Sequence, residues 1–381
     1  MKENSNDNRP LQELYPVLLE RQIPFVSYRI PRTSEIVTLI QHRSHPSKLT
    51  SFNQLEQKKG FVIAPFSEKN NHNAFLLEPD FVLYGQSVAN EIFEKLSDNE
   101  RFISIKKIKN TCQTTTKEEF SANVEKIISG INAAEFQKVV LSKVKVEKTP
   151  ARFHAGDFFL KLCDKYPSAM VYLFQIPEVG CWAGATPEQL LTIENGTAAT
   201  VSLAGTQRAV GKPIEAYEWR EKELEEQQFV TDFIENSLKN IGIHDYTKSR
   251  AHNVQAAQLI HLQTKFEFPA TSIKNRLGDL VHLLHPTPAT GGLPKTAARD
   301  FILKNEKHDR SYYTGFLGAV NINAKTHLFA NLRCVQLFDT EYVLYSGAGI
   351  TSASVAEKEW EETENKMETM KSVITIQPPT P

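Results

Sequence analysis

The distribution of apolar and polar positions divides the chain into a strand-rich first part and a longer part that mixes strands with helices. Up to about Asn110, short apolar segments between polar turns predict strands at PFVSYRI, EIVTLIQ, GFVIAPF and AFLLEPDFVLYG. Apolar residues then recur at helical spacing from Phe120 to Ile128, which predicts a helix over 115–132 with Gly130 near its end.

In the remainder, strands cluster in groups between helices. Strands are predicted at KVVLSKVKV, AMVYLFQI, CWAGA, EQLLTIE, TAATVSLAG, GFLGAVNI, HLFANLRCVQLF and YVLYSGAGI. Helices are predicted at DFFLKLCDKY, from about Pro213 to Asn240, near Arg299, and at the C-terminal end. Such clustering favours an α+β fold with large antiparallel sheets over strict βαβ alternation. We expect one domain over 1–381, with 1–110 as a strand-rich part of the same fold and 111–375 as its core.

Composition excludes several classes of function. The 381 residues are 40% hydrophobic and 23% charged with a net charge of −1, which is typical of a globular protein without a nucleic-acid or membrane surface. No apolar run approaches the ~20 residues that cross a bilayer, and the polar N-terminus lacks the apolar core of a signal peptide. The four cysteines are dispersed, so we expect reduced thiols in a cytoplasmic protein.

One carboxylate interrupts the apolar stripe of the long helix. Glu226 projects between Val230 and Phe233, and Glu223 lies one turn earlier on the same side. An ionised carboxylate in such a position is costly unless it is paired, protonated or bound to a cation. Periodicity alone leaves two readings open: an ion pair or a water-exposed helix end, and a ligand for a metal or a polar substrate.

The last helix carries further carboxylates in SVAEKEWEETENKMETM. Ser354 and Glu357 predict a capping box at its start. Helical periodicity places Glu359 at the border of the apolar side that includes Trp360. It places Glu362 on a different side of the helix, beside Lys358 and Lys366. We expect the remaining glutamates of the helix to face solvent; they are Glu357, Glu361, Glu364 and Glu368.

Nine short segments occur in a fixed order between Gln137 and Lys366. They are QKVVLSK, ATPEQLL, SLAGT, KELEEQ, HPTPATGGLPK, YYTGFLGAV, NLRCVQL, YSGAGI and EWEETENK. Together they resemble the chorismate-utilising enzymes, which include isochorismate synthase, salicylate synthase, the anthranilate synthase large component and aminodeoxychorismate synthase. The resemblance implies an α/β sandwich of two large, mostly antiparallel sheets flanked by helices, with the site in a cleft between them.

The resemblance also implies a reaction. Lys138 matches the lysine that water-adding members use as general base, and Glu188 matches the general acid. Ala204 stands where the aminodeoxychorismate branch has a lysine that attacks the ring. These matches predict addition of water at carbon 2 of chorismate with loss of the carbon 4 hydroxyl, and no glutamine amidotransferase partner.

In the family pattern, Glu226 and Glu362 hold the metal, which implies Mg²⁺ as the cofactor because this hard ion prefers oxygen ligands. Glu223 and Glu359, one turn before each ligand, would support them. The resemblance therefore selects Glu362 as the ligand, whereas periodicity alone singles out Glu359 as the buried carboxylate.

Substrate contacts follow from the same motifs. Arg333 matches the residue that grips a substrate carboxylate, for which a guanidinium fork is suited. Gly347 and Gly349 would let backbone N–H groups approach the ligand. The further matched positions are Gly205, Thr206, His261 and Lys366, although a packed core histidine is an alternative for His261.

Ala289 distinguishes between two water-adding reactions. A small residue at this position is typical of isochorismate synthases, whereas salicylate synthases, which go on to eliminate pyruvate, tend to carry a hydroxylated one. We therefore expect isochorismate as the product, with salicylate synthase as the alternative. A non-catalytic binder of small anions is an alternative of another class. The motifs leave open a menaquinone or siderophore pathway, and nothing in them demands a partner chain, so a monomer is expected.

Overall fold

The computed structural model of the protein describes residues 8–68, 72–97, 108–256 and 259–375. The strands in chain order are β1 (Asn8–Pro10), β2 (Phe25–Arg29), β3 (Ile36–Ile40), β4 (Ser47–Leu49), β5 (Gly60–Ala64), β6 (Ala74–Leu77), β7 (Phe81–Tyr84), β8 (Ser87–Ala89), β9 (Lys138–Lys148), β10 (Met170–Ile176), β11 (Gly180–Thr186), β12 (Gln189–Glu194), β13 (Thr197–Arg208), β14 (Thr247–Lys248), β15 (His252–Ala256), β16 (Leu259–Pro269), β17 (Gly292–Leu293), β18 (Phe316–Ile322), β19 (Lys325–Ala330), β20 (Cys334–Leu337) and β21 (Glu341–Ile350). The helices are α1 (Leu14–Glu20), α2 (Asn90–Ser97), α3 (Lys117–Asn132), α4 (Ala155–Lys165), α5 (Glu221–Asn240), α6 (Leu277–Leu284), α7 (Lys295–Asn305) and α8 (Ala356–Ile374).

Two large sheets dominate the described chain. The first has the order β17-β9-β21-β20-β11-β10-β2-β3-β7, and the second has the order β14-β16-β13-β12-β19-β18-β5-β6-β4, with β15 paired to β16. Neighbouring strands run antiparallel in both sheets, as in the pairs of β9 with β21 and of β13 with β16. The predicted fold class is therefore confirmed. The N-terminal strands contribute to both sheets, because β2, β3 and β7 extend the first and β4, β5 and β6 extend the second.

The two sheets face each other across an apolar layer that is rich in aromatic side chains. Tyr172 and Trp182 of the first sheet and Phe61, Leu317 and Phe329 of the second belong to this layer, and all are buried. Fully burying such a side chain contributes about 1.5–3 kcal/mol each, so this layer holds the sheets together.

Helices cover the outer faces. Helices α4 and α8 pack on the first sheet, where Phe159, Leu162 and Met370 join its outer core. Helices α5 and α6 pack on the second sheet through residues such as Val230 and Leu280. Because α5 and α8 cover different sheets, side chains near their first turns can approach a shared cleft from opposite sides.

Several predicted boundaries differ from the structure. The long helix was predicted from about Pro213, but α5 starts at Glu221, where the Glu223 carboxylate accepts the backbone N–H of Arg220 and caps the helix. Helix α3 starts at Lys117 and ends at Asn132, so Gly130, expected as its stop, lies inside it; a Cβ there would come within 2.4 Å of the ring of Phe136.

Two segments predicted as continuous runs are each split. AFLLEPDFVLYG forms β6 and β7, which join different sheets. HLFANLRCVQLF forms β19 and β20, and the break between them contains Arg333 in a left-handed backbone conformation. This second break leads into the cleft described below.

The four cysteines are free thiols, as predicted from their spacing. No helix in the described ranges is long and apolar enough to span a bilayer.

Candidate active site

Lys138 and Glu226 lie together at the edge of the first sheet. Lys138 begins β9, and its buried Nζ donates a hydrogen bond to Oε1 of Glu226 on α5. A Cβ on Gly349 of the adjacent strand β21 would lie 2.7 Å from Lys138 Cε and 3.4 Å from that oxygen, so only glycine leaves room for the pair. The carboxylate that interrupts the apolar stripe of α5 is therefore neutralised by a lysine in this structure.

Glu188 lies between β11 and β12 with its backbone fixed on both sides. Its N–H donates to Thr186 Oγ1 at 3.3 Å, and its carbonyl accepts the N–H of Ala330 at 2.9 Å. Burial raises the pKa of Glu188 to about 7, although the positive charges of Lys138 and Arg333 act to lower it. A carboxyl group with this pKa can hold a proton near neutral pH and donate it.

Arg333 occupies the break between β19 and β20. Its backbone φ of +48° places it in the left-handed region, and its carbonyl accepts the N–H of Ala185 at 3.0 Å. Burial lowers the pKa of the guanidinium, while the nearby Tyr313 and Glu362 act to raise it. This cationic side chain therefore lies within electrostatic reach of both Glu188 and Glu362.

Tyr313, a buried residue of the aromatic layer between the sheets, lies beside this cleft, and the sequence did not identify it. Its hydroxyl lies 3.0 Å from the position that a Cβ on Gly347 would take, and it is close enough to Arg333 for their charges to interact. Its segment, YYTGFLGAV, was among the matched motifs, but nothing in the segment distinguishes a tyrosine that lines a cleft from one that packs in a core.

Glu362 and Lys366 are one turn apart on α8 and close the cleft on its other side. Lys366 Nζ lies 2.6 Å from Glu362 Oε1 and donates to the Gly347 carbonyl at 2.9 Å. Partial burial raises the pKa of Glu362, but the charge and hydrogen bond of Lys366 outweigh this and lower the pKa below its usual value. The negative charge of Glu226 acts in the opposite direction, so the two carboxylates lie within electrostatic range of each other.

The structure tests the predicted burial of the glutamates of α8 and the predicted cap of that helix. Glu359 is buried and Glu362 is exposed, as helical periodicity predicted. The capping box predicted from Ser354 and Glu357 is wrong, because Val355 precedes the helix and Ser354 Oγ accepts the N–H of Thr351. Glu357 instead pairs with Lys117.

Glu364 was predicted to face solvent, and its side chain is 38% exposed, but it also has charged partners that the prediction did not include. Its carboxylate pairs with the buried Lys143 and with Lys145, both on β9. Glu223 is buried, and its carboxylate pairs with Arg220.

Three further predicted positions surround the cleft from the second sheet. His261 on β16 is buried, and its Nδ1 lies 2.9 Å from the carbonyl of Gly205 on β13. Since a carbonyl only accepts, Nδ1 carries the hydrogen. Burial, with the charges of Arg333 and Lys366, lowers the pKa of His261 to about 4, so the ring is neutral at neutral pH.

Gly205 adopts a φ of +66°, and a Cβ there would lie 2.8 Å from the ring of Trp219. The register between β13 and β16 shifts between Ala204 and Gln207. Gly205 and Thr206 therefore lie at a bulge in β13. The side chain of Thr206 lies outside the described part of the structure. Ala289 lies in the loop before β17, whose Leu293 pairs with Lys138.

The carboxylate pair fits the ion that the sequence predicted. Glu226 on α5 and Glu362 on α8 lie within electrostatic range of each other and offer only oxygen donors, the ligands that Mg²⁺ prefers. Within the described ranges, no group of three or more His, Cys, Asp or Glu side chains forms a metal cluster. A Mg²⁺ ion held by two protein carboxylates would therefore complete its shell with water and substrate oxygens, as this ion commonly does.

Comparison with known proteins identifies the family of the chain. The sequence model of the family described as chorismate binding enzyme matches residues 42–375, so the chain belongs to that family. Among curated relatives, the isochorismate synthase EntC of Escherichia coli K12 is 30% identical over 250 residues. The match covers 64% of this chain and 63% of EntC, so the chain spans slightly less than two thirds of that relative.

Solved structures share the fold. A putative 2,3-dihydroxybenzoate-specific isochorismate synthase, DhbC from Bacillus anthracis, superposes with a TM-score of 0.76 at 20% identity, covering 96% of this chain and 99% of DhbC. MenF, the menaquinone-specific isochorismate synthase of Escherichia coli, gives a TM-score of 0.75 at 19% identity, covering 97% of this chain and 93% of MenF. At these identities the likeness establishes the fold alone.

Proposed function

We propose that the protein is an isochorismate synthase, an isomerase that interconverts chorismate and isochorismate. The main support for the proposal is that a possible base and a possible acid lie close together. The buried Lys138 is within electrostatic reach of the buried carboxyl group of Glu188, whose pKa is raised to about 7. Adding water to one carbon while hydroxide leaves another requires such a base and such an acid.

In the proposed reaction, Lys138 of the ion pair with Glu226 first gives up its ammonium proton to solvent, so that Nζ can act as the general base. Lys138 Nζ removes a proton from water, and the water oxygen forms a bond to carbon 2 of chorismate. The ring double bonds shift, the bond from carbon 4 to its hydroxyl oxygen breaks, and Glu188 donates a proton to the departing oxygen, which leaves as water. Glu188 then takes a proton from solvent in place of the one that Lys138 released, so both groups recover their starting states. One water enters and one leaves, so the net reaction is a reversible isomerisation.

The substrate is a dianion, and the cationic side chains of the cleft are suited to hold it. The Arg333 guanidinium can form two parallel hydrogen bonds with one carboxylate. Lys366, fixed by the carbonyl of Gly347, places a second cation beside Glu362. His261 is neutral and held by Gly205, so it can orient a hydroxyl group without adding charge.

Glu226 and Glu362 would hold a Mg²⁺ ion, with Glu223 and Glu359 as neighbouring supports. When bound, the ion would neutralise the ring carboxylate of the substrate and withdraw electron density from the ring. In the structure described here, Lys138 and Lys366 balance the two carboxylates.

The alternatives lead to different products. Ala289 favours isochorismate as the final product over salicylate, because a small residue at this position is typical of isochorismate synthases. A non-catalytic anion binder would need Arg333 and Lys366 but would have no use for a carboxyl group poised to donate a proton. Cytoplasmic location, a monomeric state, the absence of an amidotransferase partner and the choice between menaquinone and siderophore synthesis stay predictions from the sequence.

Incubation of the purified protein with chorismate and Mg²⁺, followed by chromatography and mass spectrometry, tests the proposal. We expect isochorismate in a reversible equilibrium with chorismate and little pyruvate. Stoichiometric release of pyruvate would move the assignment to salicylate synthase, and the absence of any product would favour the anion binder.

A further inference from the structure

The strand that begins with Lys138 has an incomplete neighbour on its outer side. On the inner side, β9 pairs with β21 from Val139 to Lys148. On the outer side, β17 supplies only two residues, which lie opposite Lys138 and Val139, and the loop before it adds one bond from the Val140 N–H to the Gly291 carbonyl at 2.9 Å. The backbone beyond that point needs other partners, because an unpaired buried group costs about 1–3 kcal/mol.

Next to Val140 and Ser142, two side chains take the place of the missing strand, while Thr114 and Thr115 bond to the strand further along. The Ser142 N–H donates to Glu306 Oε1 at 2.7 Å, and Arg310 Nη2 donates to the Val140 carbonyl. The two side chains also pair with each other, since Arg310 Nε lies 2.7 Å from Glu306 Oε2 and Nη2 lies 2.6 Å from Oε1. Both are only 3% exposed, so the pair is part of the interior next to β9.

Every N–H of the Arg310 side chain has an acceptor. The two hydrogens of Nη1 are directed at the Thr290 carbonyl at 3.1 Å and at Thr314 Oγ1 at 3.2 Å, in addition to the three bonds made by Nε and Nη2. A guanidinium offers five such donors in a fixed plane, and a lysine cannot reproduce that arrangement. Burial acts to raise the pKa of Glu306, but the charge of Arg310 outweighs it and lowers the pKa, so the pair is ionised.

These contacts connect three segments of the candidate site. Val140 is two residues from Lys138, Thr290 follows Ala289, and Thr314 follows Tyr313. The backbone N–H of Tyr313 also donates to the Arg310 carbonyl at 2.8 Å. A buried ion pair contributes little net stability compared with well-packed apolar residues, so a role in fixing geometry accounts better for its presence.

We infer that Arg310, locked by Glu306, is a positioning residue that sets the placement of Lys138 relative to the segments carrying Ala289 and Tyr313. Arg310 acts through the β9 backbone and does not touch the reacting atoms. The effect on kcat expected from this role rests on the proposed function, in which Lys138 is the base. A displacement of about 1 Å in a catalytic group can cost about 10²-fold in rate, so loosening β9 should lower turnover more than substrate binding.

The test compares Arg310→Lys with the matched control Lys307→Gln. Lys307 is three residues away and 77% exposed, and it pairs with Glu119 on α3. For Arg310→Lys we expect kcat to fall about 10²-fold with little change in KM for chorismate, and faster amide hydrogen exchange in a peptide covering 137–143. For Lys307→Gln we expect neither change.

A purely structural role would lower the melting temperature but leave kcat per folded molecule unchanged, and that result would overturn the inference. A rise in KM with unchanged kcat would also overturn it. Glu306→Gln is the second variant if Arg310→Lys does not fold, because its amide oxygen can still accept the Ser142 N–H; it should show the same fall in kcat. Lack of activity in the unaltered protein would refute the proposed function, whereas the hydrogen-exchange comparison would still decide whether Arg310 holds β9 in place.

Discussion

Lys138 and Glu226, 88 residues apart in the chain, form a hydrogen-bonded ion pair between the edge of the first sheet and a helix that packs on the second. The pair brings the proposed general base next to a proposed metal ligand. Any change at either residue is therefore expected to affect the chemical step as well as the packing of the cleft.

Replacement of Lys138 by Gln should stop the addition of water. Since general-base catalysis contributes about 10²–10⁴-fold, we expect kcat to fall by at least that range while the circular dichroism spectrum is kept. Lys148→Gln is the matched control, because Lys148 ends the same strand and is exposed. Full activity in Lys138→Gln would contradict its role as base.

Replacement of Glu188 by Gln should remove turnover and change how stability depends on pH. The folded-state pKa of about 7 lies above the unfolded value of 4.5, so the stability contributed by protonated Glu188 is complete below pH 4.5 and is lost as the pH rises through 7. At roughly 1.36 kcal/mol per pKa unit, the free energy of unfolding falls by about 3 kcal/mol. The Glu188→Gln variant does not show this fall, because glutamine does not titrate.

Urea unfolding of both proteins at pH 5 and pH 8 measures this difference. The stability of Glu188→Gln relative to the unaltered protein should rise between the two pH values. Parallel changes in the two proteins would show that the pKa of Glu188 is not raised.

Replacement of Glu362 by Gln should abolish turnover that depends on Mg²⁺ and leave the fold intact. The side chain of Glu362 is 46% exposed, and its partner Lys366 keeps the hydrogen bond to the Gly347 carbonyl, so losing the carboxylate should not unfold the protein. Activity is measured against Mg²⁺ concentration, and Glu361→Gln, at an exposed neighbouring position, serves as control. Unchanged turnover in Glu362→Gln would refute the metal role.

Replacement of Arg333 by Lys should weaken chorismate binding. A hydrogen bond to a charged group contributes about 1.5–3 kcal/mol, and a lysine loses the second of two parallel bonds. We expect KM to rise at least about tenfold, with Arg152→Lys, at an exposed turn, as control. An unchanged KM would show that Arg333 does not hold the substrate.

The sequence predicted the fold class, most strands and the unusual position of Glu226, because these depend on local periodicity. It could not identify Lys138 as the partner of Glu226, since the two meet only when a sheet edge and a helix from different layers come together. Periodicity also placed Glu364 in solvent, because a helical wheel does not reveal that a buried lysine, Lys143, lies on the adjoining strand.

Tyr313 and Arg310 show the same limit. Both lie in or beside a recognised motif, but only the structure shows that the hydroxyl of Tyr313 packs against Gly347 and that Arg310 replaces a missing strand beside β9. Which backbone groups at a sheet edge lack a neighbouring strand depends on the topology of the sheet, and local sequence patterns do not encode that topology.

The most direct test of the central claim is a reaction in ¹⁸O-labelled water. Purified protein, Mg²⁺ and chorismate are incubated briefly, and the products are analysed by mass spectrometry. We expect isochorismate with one ¹⁸O atom, in the new hydroxyl on carbon 2, because that oxygen comes from solvent. Unlabelled isochorismate, or no isochorismate at all, would contradict it.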